Sequence, residues 1–204
     1  AALSRDITTR RQTDEKLQRQ LKELTVLQET ALAGTQSSTL DELVERVTGI
    51  IGESLYPDNF GILFLDEVKK VLRSHASYRL GKINESRATI VPLGKGVSSY
   101  VIETGQTYRV ADVLSEPRYV GVTLGIRSEL CVPIHVAGVP IGVINAESQQ
   151  LDFFSADDER LLGTIAVQMG IAIEKMRLLD AERQQRQAAE TLRQAAEVVS
   201  SSLD

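Results

Sequence analysis

Residues 128–148 read SELCVPIHVAGVPIGVINAES, and this stretch decides the fold. It predicts a β-hairpin turned at Ala137-Gly138. Cys131 alternates with Leu130 and Val132 in the first arm and reads as a small buried apolar residue. His135 stands beside the turn and reads as solvated. Working outward, FGILFLD (60–66) is a short apolar run bounded by turn residues, which predicts a strand buried on both faces. KVLRSHASY (70–78) alternates and predicts its antiparallel partner, with His75 packed in the strand. ATIVPL (88–93) and TYRVAD (107–112) add two shorter strands.

Helices fill the remaining intervals. Thr39–Glu42 (TLDE) is a capping box whose helix runs to about Ser54 and breaks at YPDN (56–59). Gly94-Lys95-Gly96 opens a helix that Gly105 closes, as glycine commonly does just past a helix end. Ser155–Asp158 (SADD) opens another, on which Leu162, Ile165, Met169, Ala172, Met176 and Leu179 recur at three- and four-residue steps. The expected fold is α+β: a six-stranded antiparallel sheet with helices on one face, flanked by long N- and C-terminal coiled-coil helices.

Both ends carry the coiled-coil expectation. DEKLQRQLKELTVLQETAL (14–32) lacks Gly and Pro and sets Leu17, Leu21, Leu24 and Ala31 on a narrow heptad stripe, with Gln28 at the missing seam position. DAERQQRQAAETLRQAAEVV (180–199) continues the last helix with an almost wholly polar face. The expectation is a homodimer through helices bearing Leu17, Leu21, Leu24, Ala31, Met176 and Leu179. A short echo, GTQSSTLD ending at Asp41 and EVVSSSLD ending at Asp204, predicts a second copy of the central domain further on.

Bulk properties narrow the function. Net charge is −5 and the isoelectric point is near 5.2, so no basic field favours nucleic acid. A single cysteine excludes an internal disulfide and every multi-cysteine metal site. No apolar run approaches a membrane span and no signal peptide opens the sequence, so a soluble, cytoplasmic protein is expected.

Four segments together resemble a GAF domain. They are PLGKGVSSYVIETGQTYRVADVLSEPRY (92–119), IRSELCVPI (126–134), PIGVINAES (140–148) and FSADDERLLGTIAVQMGIAIE (154–174). The likeness spans about Leu40 to Leu178. SRDITTRRQTDEKL (4–17) resembles the tail of a PAS domain. The organisation this implies is a PAS tail over residues 1–13, a linker helix over 14–38, the GAF domain over 39–178, and a linker helix over 179–204 leading to a second GAF domain. The parent would be a bacterial multi-sensor signalling protein of the histidine kinase type, in a two-component system.

By position, the resemblance implies a ligand pocket lined by Ser77, Tyr78, Gly96, Val97, Ser98, Leu114 and Asn145. Arg127 would meet an acidic ligand or anchor the loop DVLSEPRY (112–119). Cyclic-nucleotide-binding members carry an Asn-Lys pair followed by Phe and Asp-Glu. Here those positions read Ser148-Gln149, Phe154 and Asp158-Glu159, so the lysine that would pair with the aspartate is missing. Bilin-binding members carry a cysteine ahead of the Cys131 strand, which this sequence lacks; no bilin, other cofactor or metal is expected. Relatives that reduce free methionine sulfoxide use several cysteines. With one cysteine and no convergent acid–base pair evident, the expectation is a non-enzymatic sensory and relay module. Its alternatives are a dimerisation spacer without ligand and a cyclic-nucleotide-binding domain.

Overall fold

The computed structural model describes residues 2–56, 58–80, 89–121 and 125–201. Two helices lead: α1 (Ala2–Gln36) and α2 (Leu40–Ser54). Strands β1 (Asn59–Asp66), β2 (Val71–Ser74), β3 (Arg79–Leu80) and β4 (Ile90–Pro92) follow, then α3 (Gly96–Thr104), β5 (Tyr108–Val110) and a 3-10 turn at Val113–Ser115. Strands β6 (Ser128–Val136) and β7 (Val139–Ser148) and the long α4 (Ala156–Ser201) complete the domain. The main sheet path is β4-β2-β1-β7-β6-β5, antiparallel throughout, with the two-residue β3 pairing beside it on β1.

The central strand explains the layering. Side chains alternate across a strand, and β1 is apolar at both parities. Phe60 and Ile62 join a core with Leu130, Val132 and Ile144 beneath α1, α2 and α4. Leu63 joins the opposite core with Leu72, Cys131 and Val143 beneath Val97, Val101 and Ile102 of α3. The α+β sandwich is therefore the expected one with an addition: three helices share one face, while α3 crosses the other.

Both capping boxes form. Glu42 N–H donates to Thr39 Oγ1 at 3.2 Å, and Ser38 N–H donates to the Glu42 carboxylate at 2.9 Å. Asp158 N–H donates to Ser155 Oγ at 3.3 Å, and Ser155 N–H returns to Asp158 Oδ2 at 2.8 Å. Each satisfies helix-terminal N–H groups that lack intrahelical partners. Gly105 closes α3 in the left-handed region at φ 66°. Glycine also allows α4 to lie against the hairpin: a Cβ on Gly170 would fall 2.1 Å from the carbonyl oxygen of His135.

Helix α1 is continuous across the boundary expected at residue 13. It runs parallel to α4, since Arg19 meets Asp158, Thr30 Oγ1 donates to Gln168 Oε1 at 2.9 Å, and Gly34 lies against Ala172. Val26, Thr30 and Ala33 face inward, while Leu17, Leu21, Leu24 and Ala31 are exposed. On α4, Leu162, Ile165, Met169 and Ala172 are core residues, and Leu179 is exposed. Met176, expected at the dimer seam, is half-buried and packs against the core. Val167, Ile171 and Leu178 form the outward stripe instead. No helix among the described residues is long and apolar enough to cross a membrane.

Candidate functional site

The cavity lies where α3 crosses the sheet, between its first turn and strands β1, β6 and β7. It holds about 40 Å³, room for roughly three water-sized spheres at about 10–15 Å³ each. Leu63, Val91, Val97 and Val120 supply apolar wall, Tyr78 and Tyr119 aromatic wall, and Ser98, Glu129, Asn145 and Glu147 a polar floor.

That floor is built by strand register. Glu129 of β6 pairs directly with Glu147 of β7, and Cys131 with Asn145, so all four side chains emerge on the α3 face. Glu129 is 3% exposed and Glu147 is 7% exposed. Buried carboxyls of this kind are rare without a compensating cation. Asn59 Nδ2 donates to Glu147 Oε2 at 2.8 Å, and Asn145 Nδ2 donates to the Tyr78 hydroxyl at 2.9 Å. Glu129 Oε2, Asn145 Oδ1 and the Tyr119 hydroxyl are buried without any hydrogen-bond partner. All three line the cavity.

Burial raises the Glu129 carboxyl well above the ordinary glutamate range, and the Glu147 and Glu116 charges raise it further. Burial also raises Glu147, opposed by the hydrogen bonds from Asn59 and Asn145. Tyr78 is raised by burial and by Glu147, and the Cys131 thiol by burial and by Glu129. The folded carboxyl pair thus holds protons longer than the unfolded chain does. Folding is favoured below the unfolded glutamate value of 4.5, and this advantage is lost as pH rises through the raised folded values. The free domain is expected to melt progressively lower as pH rises above the ordinary glutamate range, measured by thermal denaturation. Asp66, Asp112 and Asp158 are depressed instead, so their contributions change on the acid side of the aspartate range and do not mask this slope.

The site residues expected from sequence divide. Tyr78, Gly96, Val97, Ser98 and Asn145 come together around the cavity. Ser77 does not: its hydroxyl donates to Thr48 of α2 at 3.1 Å and meets His75 Nδ1 at 2.8 Å. Leu114 is corrected to a surface position, 75% exposed on the 3-10 turn, because it is Val113 that turns into the core. Arg127 anchors the loop, its Nη2 lying 3.2 Å from Asp112 Oδ2. The loop is further tied by Tyr108 donating to Glu116 at 2.8 Å, and by Arg118 pairing with Glu116 at 3.2 Å and lying over the Tyr100 ring. The Gly94 N–H, offered by the Gly-Lys-Gly turn, is taken internally by Ser99 Oγ at 2.7 Å and Glu103 Oε1 at 2.8 Å.

Sequence reasoning missed Glu129, Glu147 and Tyr119, although their strand parity matches that of Cys131 and Asn145 for the two glutamates. It also missed the partner of Asp158. The absent lysine is replaced from another element: Arg19 Nη2 of α1 sits 2.7 Å from Asp158 Oδ1, which also accepts from the Tyr56 hydroxyl at 2.7 Å. Helix α1 is thereby clipped to the start of α4.

A sheet of this order, with one helix crossing the face opposite the other three, defines an α+β sandwich with a small cavity beneath the cross-helix. The chain belongs to the GAF domain family, whose model matches residues 37–174. Among curated proteins it is 32% identical over 126 residues to the dual 3',5'-cyclic-AMP and -GMP phosphodiesterase 11A of Takifugu rubripes, an alignment covering 58% of this chain and 14% of that protein. Its fold matches free methionine-R-sulfoxide reductase from Neisseria meningitidis in complex with its substrate, with a TM-score of 0.70, 23% identity and coverage of 77% of this chain and 91% of that one. It also matches type II free methionine-R-sulfoxide reductase from Thermoplasma acidophilum, with a TM-score of 0.56, 24% identity and coverage of 72% and 96%.

These likenesses correct the expectation of a non-enzymatic module. Reductases are built on this fold, so the fold does not exclude catalysis. One of the two grounds given from sequence, the lack of a convergent acid–base pair, also fails, because Glu129 and Glu147 do converge. Together they are a pair of buried carboxyls with raised proton affinity, a combination able to hold and pass a proton.

Proposed function

We propose that this domain is a sensory and regulatory module that binds a small molecule beneath α3 and passes the effect to α1 and α4. The observation that carries the reading is the cavity floor. Three buried polar atoms without partners line one cavity, and such atoms are costly to leave unmatched. A ligand that matches them in only one arrangement of the core stabilises that arrangement, which is the requirement for a signal. The path outward is short. Strands β6 and β7, which carry the carboxyls, also carry Leu130, Val132, Ile134 and Ile144 in the opposite core against α4. Through Arg19 and Thr30, α4 is joined to α1.

The exposed stripes on the parallel helices support a homodimer in which two copies align α1 and α4 side by side. The PAS-like and repeat-like segments support a longer cytoplasmic signalling protein, with further sensory domains and a histidine kinase output. Native mass spectrometry of freshly purified protein, preceded by its absorption spectrum, tests the reading. The expected spectrum is a dimer carrying a non-covalent mass of small-molecule size. A dimer of bare chain mass, unresponsive to any added small molecule, would leave a spacer in its place.

A further inference from the structure

We propose that the Glu129–Glu147 floor receives the positively charged nitrogen head of a small ligand, a primary ammonium or an amidinium. This rests on the ligand-binding reading above and names the chemistry that the site selects.

Three observations converge. First, among the described residues lining the cavity the charged side chains are two carboxyls, Glu129 and Glu147, with no Lys, Arg or His. The nearby cations of the loop are committed elsewhere, Arg118 to Glu116 and the Tyr100 ring, and Arg127 to Asp112. Second, the unmatched groups are short of donors. Asn145 Oδ1 accepts only, Glu129 Oε2 accepts only once its carboxyl is ionised, and the Tyr119 hydroxyl can accept as well as donate. Ammonium carries three N–H donors and no acceptor, and amidinium presents a planar donor fork. Third, Tyr78 and Tyr119 supply the aromatic wall against which a desolvated cation is favoured. A phosphate or carboxylate would instead meet two carboxyls in a water-poor enclosure, where like charges repel most strongly. The cavity's 40 Å³ fits such a head with little of its tail.

Binding of the cation also explains how two buried carboxyls are tolerated. Proton loss from the pair is opposed by burial and mutual repulsion, and an ammonium between them relieves both. Ligand uptake therefore displaces protons, and affinity rises with pH across the range in which the free pair titrates.

Matched probes test this: propylamine, propanol, propionate and 3',5'-cyclic AMP, each added at equal concentration and ionic strength while the chain is melted at neutral pH. Propylamine is expected to raise the midpoint by about 2–4 °C, the effect of a ligand at several times its dissociation constant on a chain of this size. The other three are expected to do nothing comparable. Glu129→Gln is expected to raise the midpoint of the free protein and abolish the propylamine shift, a pair of opposite effects that simple misfolding does not give. Glu147→Gln serves as the second variant. Protection by propionate or cyclic AMP in place of propylamine overturns the cationic class and leaves the ligand-binding reading standing. A propylamine shift surviving in both variants overturns the assignment to this floor. If no probe protects, a bound mass in the native spectrum confines the failure to the cationic class, and its absence removes both readings.

Discussion

Replacing Asp158 with alanine is expected to lower stability by about 3 kcal/mol or more, well beyond the ordinary surface substitution. Three losses combine. The Tyr56 hydroxyl loses its acceptor inside the core, where an unmatched donor costs about 1–3 kcal/mol. The α4 capping box loses the arm in which Asp158 Oδ2 accepts from Ser155 N–H, worth about 0.5–2 kcal/mol, while the backbone N–H of residue 158 still donates to Ser155 Oγ. The Arg19 pair adds little, because the arginine side chain is 53% exposed and solvent screens it. The midpoint should fall by roughly 6–12 °C, at about 2–4 °C per kcal/mol for this chain length. Arg19→Ala should reproduce only the small last part, yet speed hydrogen exchange along the outer turns of α1. Burial pushes the Asp158 carboxyl up, but hydrogen bonds from Ser155 and Tyr56 and the Arg19 charge together hold it below the ordinary range. Its contribution is present above the unfolded aspartate value and is lost as pH falls through the folded one. Acid melts should therefore converge for wild type and variant. A loss at neutral pH no larger than that of Arg19→Ala would show that Asp158 does not hold the junction.

The fold was legible because most of it is local. Capping boxes, the glycine closing α3 and the two-sided apolar run of β1 announce themselves within a few residues. The site was less so, and the hairpin shows why. A two-residue turn at Ala137-Gly138 pairs Val136 with Val139, and extending that register unbroken sets Glu129 opposite Ala146. The irregularity between Ile134 and His135 shifts the register by one, bringing Glu129 opposite Glu147. A bulge of that kind leaves no clear mark in the sequence, so the pairing of the two carboxyls is not legible there. Arg19 and Asp158 were hidden for a different reason. They are 139 residues apart, and only the parallel packing of α1 on α4 brings them together. Leu114 failed because a 3-10 turn reverses which of two adjacent apolar residues points inward.

Placing Leu21→Glu and Leu24→Glu together on α1 is expected to convert the proposed dimer to a monomer, with association weakened more than about 100-fold. Both leucines are more than half exposed in the single chain, and together with Leu17 they form an apolar face on a helix whose neighbouring positions are charged. Burying a leucine stabilises by roughly 1.5–3 kcal/mol, and a two-fold interface counts each substitution twice. Glutamates facing their own copies add repulsion to that loss. The inward residues Val26, Thr30 and Ala33 are untouched, so the melting of the dissociated monomer should remain cooperative. Met176→Ala provides the converse. Its side chain packs on the core, so it should lower the melting temperature and leave association unchanged. Sedimentation equilibrium separates the cases. A double glutamate variant that stays a tight dimer would move the interface off α1, onto the outward stripe of Val167, Ile171 and Leu178. Substituting Ile171 would then be the step that dissociates it.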